Sequence, residues 1–327
     1  MKIAVLGTGS VGSRHLKTIE SIPGLEPVAV PMRSSRLAEL EDQGLATAAS
    51  LQQAVAIGVE AAIVATDTSR HDEDAISALS HGLDVLVEKP MAVDATKAHQ
   101  ICEQTVILKH QVFVGCVLRF SQGLATFQEL LPQVGQLHSV RIECQSYLPD
   151  WRPQRPYRKS YSARSGEGGV LLDLIHEIDY AGWIFGWPLS LRGNLKNLGR
   201  LHIDVDEVAE LTWETTTGSI VSINLDYLSR PPRRRMKAYG DLGTIVWDGI
   251  TGTVQLKLAE TEMQESRPSQ THDEMFAAQI GALVDSINGY HNPLLATGVE
   301  GTKALAICDA ARRSSVSKRE ETVLYYE

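Results

Sequence analysis

Lys2-Ile3-Ala4-Val5-Leu6-Gly7-Thr8-Gly9-Ser10-Val11-Gly12 is the stretch that decides the fold. Residues 2–6 are a short apolar run of the kind buried in a parallel sheet. A helical pattern follows from Val11 to Ile22, so the glycines fall in a strand-to-helix turn. In a Gly-x-Gly-x-x-Gly turn the first glycine, Gly7, permits the tight bend. The second, Gly9, lets the backbone approach a pyrophosphate, and the third, Gly12, allows close helix–strand packing. The N–H groups of Ser10 and Val11 at the helix start then meet the phosphate charge. With 26 glycines in the chain the bare pattern is weak. Its strand–turn–helix setting is what points to dinucleotide binding.

Outward from this turn, strand and helix signals alternate. Strands are expected at Pro27–Val30, Glu60–Ala65, Asp84–Val87 and Gln111–Gly115, with a helix over Asp72–His81. After Phe120 the pattern changes to alternating stretches at Leu137–Tyr147, Glu207–Thr216, Ser219–Tyr227, Thr244–Trp247 and Thr253–Ala259. These read as a largely antiparallel sheet. Helices are expected over Leu171–Phe185, Asp273–Asn288 and Val299–Arg313. The fold class expected is α/β: a doubly wound parallel Rossmann sheet over residues 1–120, then an α+β domain over 121–327. The last helices are expected to pack back on the first domain.

A length of 327 residues fits two domains, and 43% hydrophobic residues suffices for globular cores. A net charge of −9 argues against a general nucleic-acid or anionic-membrane binder. Cys102, Cys116, Cys144 and Cys308 are far apart without CxxC spacing, which argues against a metal site or a disulfide framework. No signal-peptide pattern and no membrane-spanning run is read, and the expected location is the cytoplasm.

Cofactor choice is read at the end of the second strand, where an acid would bind the ribose hydroxyl of NAD. That place holds Met32, followed by Arg33-Ser34-Ser35-Arg36. Arg33, Ser34 and Arg36 suit a 2′-phosphate, so NADP(H) is preferred, with NAD(H) as the alternative. The bland reading is a solvated basic loop. Glu88-Lys89-Pro90 lies just beyond a strand's carboxyl end, where open α/β sheets place ligands. There Lys89 can face the crevice with Glu88 as its charge partner; the bland reading is a surface turn. In Leu171–Tyr180, the spacing places Asp173, His176 and Asp179 broadly on one helix face. A histidine there can pass a proton near neutral pH, or serve as a satisfied structural residue.

Together these pieces resemble the Gfo/Idh/MocA family, which includes glucose–fructose oxidoreductase and inositol dehydrogenase. The landmarks are GTGSVGSRH at 7–15, IVATDTSRH at 63–71, HGLDVLVEKP at 81–90, VGCVLRF at 114–120, GGVLLDLIHEID at 168–179 and NPLLATGVEG at 292–301. The resemblance implies a Rossmann domain followed by a domain with a large, mainly antiparallel open sheet, through which homodimers or homotetramers form. It implies that Lys89 contacts the reacting hydroxyl and that His176 gives or takes the proton. Thr66, His71 and Glu88 would lie beside the cofactor, and Arg119 at the substrate. The family pattern has an aspartate four residues before the histidine. Here Leu172 stands there and Asp173 is three before, which ranks Asp173 below the other two.

The resemblance also implies hydride transfer to or from a hydroxyl-bearing carbon of a sugar or sugar derivative. Residues 151–164 carry five cations on an acidic chain. Arg155 and Arg158 could grip a carboxylate or phosphate, with Tyr157 and Tyr161 at hydroxyls. That favours an anionic sugar: a sugar acid, a nucleotide sugar or a nonulosonic acid. A second basic run covers Arg230–Lys237. Either run can instead be a solvated or subunit-contacting loop. Two other readings stand beside a dehydrogenase: a non-catalytic NADP(H) sensor on the same scaffold, and a redox-neutral enzyme that recycles its cofactor on one substrate.

Overall fold

The computed structural model describes residues 1–326, and the chain divides into two compact units. The first comprises Met1–Val117 and Thr271–Thr302, so of the two last helices expected to pack back the first belongs to that unit, while the second unit comprises Leu118–Gln270 and Lys303–Glu327. Its strands are β1 (Lys2–Leu6), β2 (Glu26–Val30), β3 (Ala61–Val64), β4 (Asp84–Val87) and β5 (Val112–Val114). The intervening helices are α1 (Ser10–Ser21), α2 (Ser34–Asp42), α3 (Leu51–Ala56), α4 (His71–Ser80) and α5 (Ala95–Leu108). β1, β3 and β4 are buried on both faces, as their unbroken apolar runs require. The strands pair in parallel in the order β2-β1-β3-β4-β5.

In the second unit, α6 (Gln122–Leu130) precedes β6 (Leu137–Gln145), and α7 (Val170–Asp173) and α8 (His176–Phe185) follow. Then come β7 (Ser190–Lys196), β8 (Val208–Glu214), β9 (Ile220–Asp226), β10 (Arg233–Gly240), β11 (Gly243–Asp248), β12 (Val254–Leu258) and β13 (Gln264–Ser266). The chain closes with α9 (His272–Ile287) and β14 (Ala296–Thr297) of the first unit, α10 (Gly298–Ser317) and β15 (Glu321–Thr322). β14 adds antiparallel to β5.

The second sheet has nine strands, ordered β13-β12-β11-β10-β6-β9-β8-β7-β15. All its pairings are antiparallel except β6 with β9. Alternate residues of β8 (Ala209, Leu211, Trp213) and β6 (Val140, Ile142, Cys144) are buried, the period-two pattern of a sheet with one covered face.

Two expectations are corrected. The basic run at 230–237 is mostly strand, not loop: Arg233–Lys237 belong to β10, which lies between β11 and β6. The helix expected over Leu171–Phe185 is two helices, broken at Leu174–Ile175, where Leu174 leaves the helical basin at φ −100° and ψ 31°.

Candidate functional site

In the first unit a ladder of backbone hydrogen bonds continues past the strand ends. Gly7 donates to Val30 (3.0 Å), Ala65 to Leu6 (2.8 Å), Glu88 to Val64 (2.8 Å) and Gly115 to Val87 (2.7 Å). The glycine turn, the Thr66 loop and the Glu88-Lys89 pair are therefore adjacent on the carboxyl edge of one parallel sheet, where such sheets bind ligands.

The turn fits a dinucleotide phosphate. Gly7 has φ +86°, and a Cβ on Gly12 would overlap the Gly7 carbonyl oxygen. Gly9, the N-cap of α1, has open space where its Cβ would be. The first turn of α1 has neither a side-chain cap nor an acidic residue, so its N–H donors and positive dipole end suit an anion. At the end of β2, Met32, Arg33 and Ser34 are exposed and Arg33 is the N-cap of α2. Arg36 pairs with Glu39 at 2.8 Å, a surface contact worth little and easily exchanged for another anion.

Around the Thr66 loop the side chains are committed to one another. The Thr66 hydroxyl donates to Asp74 (2.8 Å), which Arg70 also holds (2.9 Å). His71 is buried, with Nδ1 2.8 Å from the Pro90 carbonyl and Nε2 3.0 Å from the Thr66 carbonyl. His71 thus ties the Thr66 and Pro90 loops together through its two ring nitrogens. Lys89 is half-buried and its peptide to Pro90 is cis. Glu88 is buried; its Oε2 accepts from the Lys89 backbone N–H (3.2 Å), and its Oε1 lies 2.6 Å from His15 Nε2.

In the second unit His176 is the first residue of α8 and is half-buried. The helix break lies between Asp173 and His176, so Asp173 ends α7 while His176 and Asp179 belong to α8. Asp173 accepts from the hydroxyls of Tyr161 (3.0 Å) and Tyr227 (2.9 Å). The Asp173 charge and burial push the Tyr161 phenol well above its ordinary range. Gly169, at φ +102°, starts α7 beside Asp206, which accepts from the Leu171 N–H (2.9 Å).

Arg119 corrects a further expectation. Its side chain is fully buried and forks onto Asp179 through Nε (3.0 Å) and Nη2 (2.7 Å), over the Trp183 ring. It is an internal counter-ion and not a substrate contact. The Arg158 Nε and the Tyr157 hydroxyl both donate to the Leu201 carbonyl, while Arg155 is exposed. Arg234 reaches inward to Glu177 at 2.7 Å, so part of the basic run is a half-buried arginine paired with a buried carboxylate at the first turn of α8.

Residues 1–116 match the oxidoreductase family with an NAD-binding Rossmann fold, and residues 132–246 match the GFO/IDH/MocA C-terminal domain. The chain belongs to the Gfo/Idh/MocA family. Its first unit is an NAD-binding Rossmann domain, and the protein is an oxidoreductase. It is 26% identical over 302 residues to 2,7-anhydro-N-acetylneuraminate hydratase of Mediterraneibacter gnavus, covering 89% of this chain and 79% of that one. It is 27% identical over 236 residues to inositol 2-dehydrogenase of Streptomyces avermitilis, covering 68% and 65%. The WlbA dehydrogenase from Bordetella pertussis, solved with NADH and UDP-GlcNAcA, superposes with a TM-score of 0.84 at 18% identity. That match covers 100% of this chain and 98% of WlbA, and at this identity it speaks to the fold alone.

Several residues of this Gfo/Idh/MocA protein escaped the sequence reading: His15, Tyr227, and the Glu177–Arg234 pair. His15 had a signal, because it shares the buried stripe of α1 with Leu16 and Ile19, and a buried histidine needs a partner. Tyr227 and Arg234 had none, since their partners lie 54 and 57 residues away.

Proposed function

We propose that this protein moves a hydride to or from a hydroxyl-bearing carbon of an anionic sugar derivative, with NADP(H) preferred over NAD(H). The observation that carries the reading is the strand-end ladder, which sets the acid-free glycine turn, the Thr66 loop and Lys89 side by side on one sheet edge. Met32 at the position of the NAD-selecting acid, with Arg33 and Ser34 exposed beside it, supports the phosphorylated cofactor. When bound, the nicotinamide supplies or accepts the hydride. His176 takes the hydroxyl proton in oxidation and returns it in reduction. Lys89 stabilises negative charge that develops on the substrate. Asp173, held by two tyrosines, fixes the segment from which His176 starts. Exposed Arg155 is the readiest group for a substrate carboxylate or phosphate. The polar face of the second sheet, with Arg141, Glu143 and Lys237, suits self-association into dimers or tetramers.

The test is turnover of a panel of sugar acids, nucleotide sugars and nonulosonic acids with NADP⁺ and with NAD⁺. His176→Ala should lower kcat by roughly 10²–10⁴-fold, and Arg155→Glu should raise KM for the anionic substrate. Full activity in His176→Ala would refute the proton role, and an unchanged KM in Arg155→Glu would remove the anion site. A second reading is favoured by the relative named a hydratase, because adding water leaves the net oxidation state unchanged. A product formed with no net change in cofactor absorbance would select this redox-neutral reading.

A further inference from the structure

The His15–Glu88 contact has no part in the function proposed above. His15 lies on the buried stripe of α1, in the turn after the one that presents Ser10 and Val11 to the phosphate, and its side chain is fully buried. Its Nε2 donates to Glu88 Oε1 at 2.6 Å. The other carboxylate oxygen, Oε2, accepts the N–H of Lys89 at 3.2 Å. Gly115 closes the third side: a Cβ there would sit 3.0 Å from the Glu88 carboxyl carbon, tighter than ordinary packing. The carboxylate is thus boxed between the dinucleotide helix, the Lys89 peptide and the end of β5.

This arrangement is not what packing alone would select. The His15 ring meets the edge of Phe276 on α9 at 5.1 Å, next to Leu16 and Ile19, and its Nδ1 is buried without a hydrogen-bond partner. An unsatisfied buried nitrogen is destabilising. An apolar ring in this place would avoid that cost but would leave the buried Glu88 charge without its partner. The position therefore keeps a donor for Glu88 at the expense of packing.

We infer that His15 is a positioning residue: through Glu88 it sets the Lys89 backbone and couples the phosphate-binding turn to that lysine. The inference rests on the reading of Lys89 as the group at the reacting oxygen. A shift of α1 of a few tenths of an ångström changes the His15–Glu88 distance directly, and Glu88 passes the change to Lys89 through the bond its Oε2 accepts from the Lys89 N–H. Cofactor binding at the turn and placement of the lysine then rise and fall together.

The experiment compares wild type with His15→Phe, His15→Gln, Glu88→Gln and the double variant His15→Phe/Glu88→Gln. Three quantities are measured: melting temperature, the dissociation constant for NADPH from its own fluorescence, and kcat on a substrate of the panel. His15→Phe keeps an aromatic ring, slightly larger, and loses the donor. It should weaken NADPH binding and lower kcat, each by about tenfold or more, the scale of coupling within one hydrogen-bonded network. His15→Gln, which keeps an N–H, should recover most of both. The double variant should be no worse than the worse single variant. Wild-type affinity and kcat in folded His15→Phe, or additive losses in the double variant, overturn the inference. If His15→Phe does not fold, wild-type values of both quantities in Glu88→Gln overturn it equally. Lys89→Met separates this from the reading beneath it. Full turnover in Lys89→Met removes the role of Lys89. A dead Lys89→Met beside an unaffected His15→Phe removes only the role of His15.

Discussion

At the scale of single residues, charge burial in the second unit is organised around α8. The side chain of Arg119 is 0% exposed and that of Asp179 only 3%, and two hydrogen bonds join them. A buried pair of this kind adds little over a well-packed apolar pair, yet breaking it by removing one partner is costly. Arg119→Met should therefore destabilise the protein by about 3–5 kcal/mol, because Asp179 is left as an uncompensated buried charge. The double variant Arg119→Met/Asp179→Leu should restore much of that loss. Urea unfolding of the two variants against wild type checks this; equal stability of Arg119→Met and wild type would show that the charge on Asp179 finds another partner. Glu177 and Arg234 form a second ion pair two residues earlier on α8, with the Arg234 side chain reaching from β10 to the helix start. Burial alone would push the Arg234 charge off, and Glu177 beside it holds the guanidinium protonated.

At the scale of elements, the turn between β1 and α1 makes a contrast that can be tested. A methyl on Gly12 would overlap the Gly7 carbonyl oxygen, whereas a methyl on Gly9 meets no atom within 4 Å, and Gly9 has an ordinary φ of −70°. Gly12→Ala should therefore lower the melting temperature as well as cofactor affinity. Gly9→Ala should fold like wild type and lose cofactor affinity alone, since the new methyl stands where the pyrophosphate approaches. A calorimetric scan paired with an NADPH titration checks both, and Gly9→Ala with unaltered affinity would place the phosphate elsewhere. The first sheet was legible because its strands are unbroken apolar runs and its turn is spelled by glycines. β10 was not, because Arg233-Arg234-Arg235 reads as solvated charge. Only the sheet shows that Arg234 turns inward to Glu177 while its neighbours Arg233 and Arg235 take the opposite face. The break between α7 and α8 was equally silent, since the apolar spacing runs through Leu174–Ile175 unchanged. Lys89 and His176 stood out through resemblance to a family. The partners of Asp173 and Arg119 are fixed only by tertiary structure: Tyr161 and Tyr227 lie 12 and 54 residues from Asp173, and Asp179 lies 60 from Arg119.

At the scale of the whole molecule, the buried thiols and phenols and the Lys97 ammonium bear on stability in one direction. Burial, reinforced by Glu177 and opposed by Arg234, pushes the Cys144 thiol from 9.0 up to about 12. Burial likewise raises the Cys308 thiol and the Tyr180 and Tyr227 phenols above their ordinary ranges. The Lys97 ammonium is raised by its hydrogen bond to Asp72. For each of these the folded protein holds its proton more tightly than the unfolded chain. The corresponding stability is fully present below the unfolded value and is lost as pH rises toward the folded one. Cys144 alone should contribute a decline on the order of 4 kcal/mol between pH 9 and about 12. Denaturant midpoints at pH 8, 9.5 and 11 should therefore fall steeply for wild type and less steeply for Cys144→Ala, whose packing loss is the same at every pH. Parallel slopes for the two proteins would mean that the thiol ionises in the folded state as readily as in water. They would also mean that solvent reaches Cys144 beside Glu177 and Arg234, and the inward-facing charge of β10 would then stabilise α8 by far less than its burial implies.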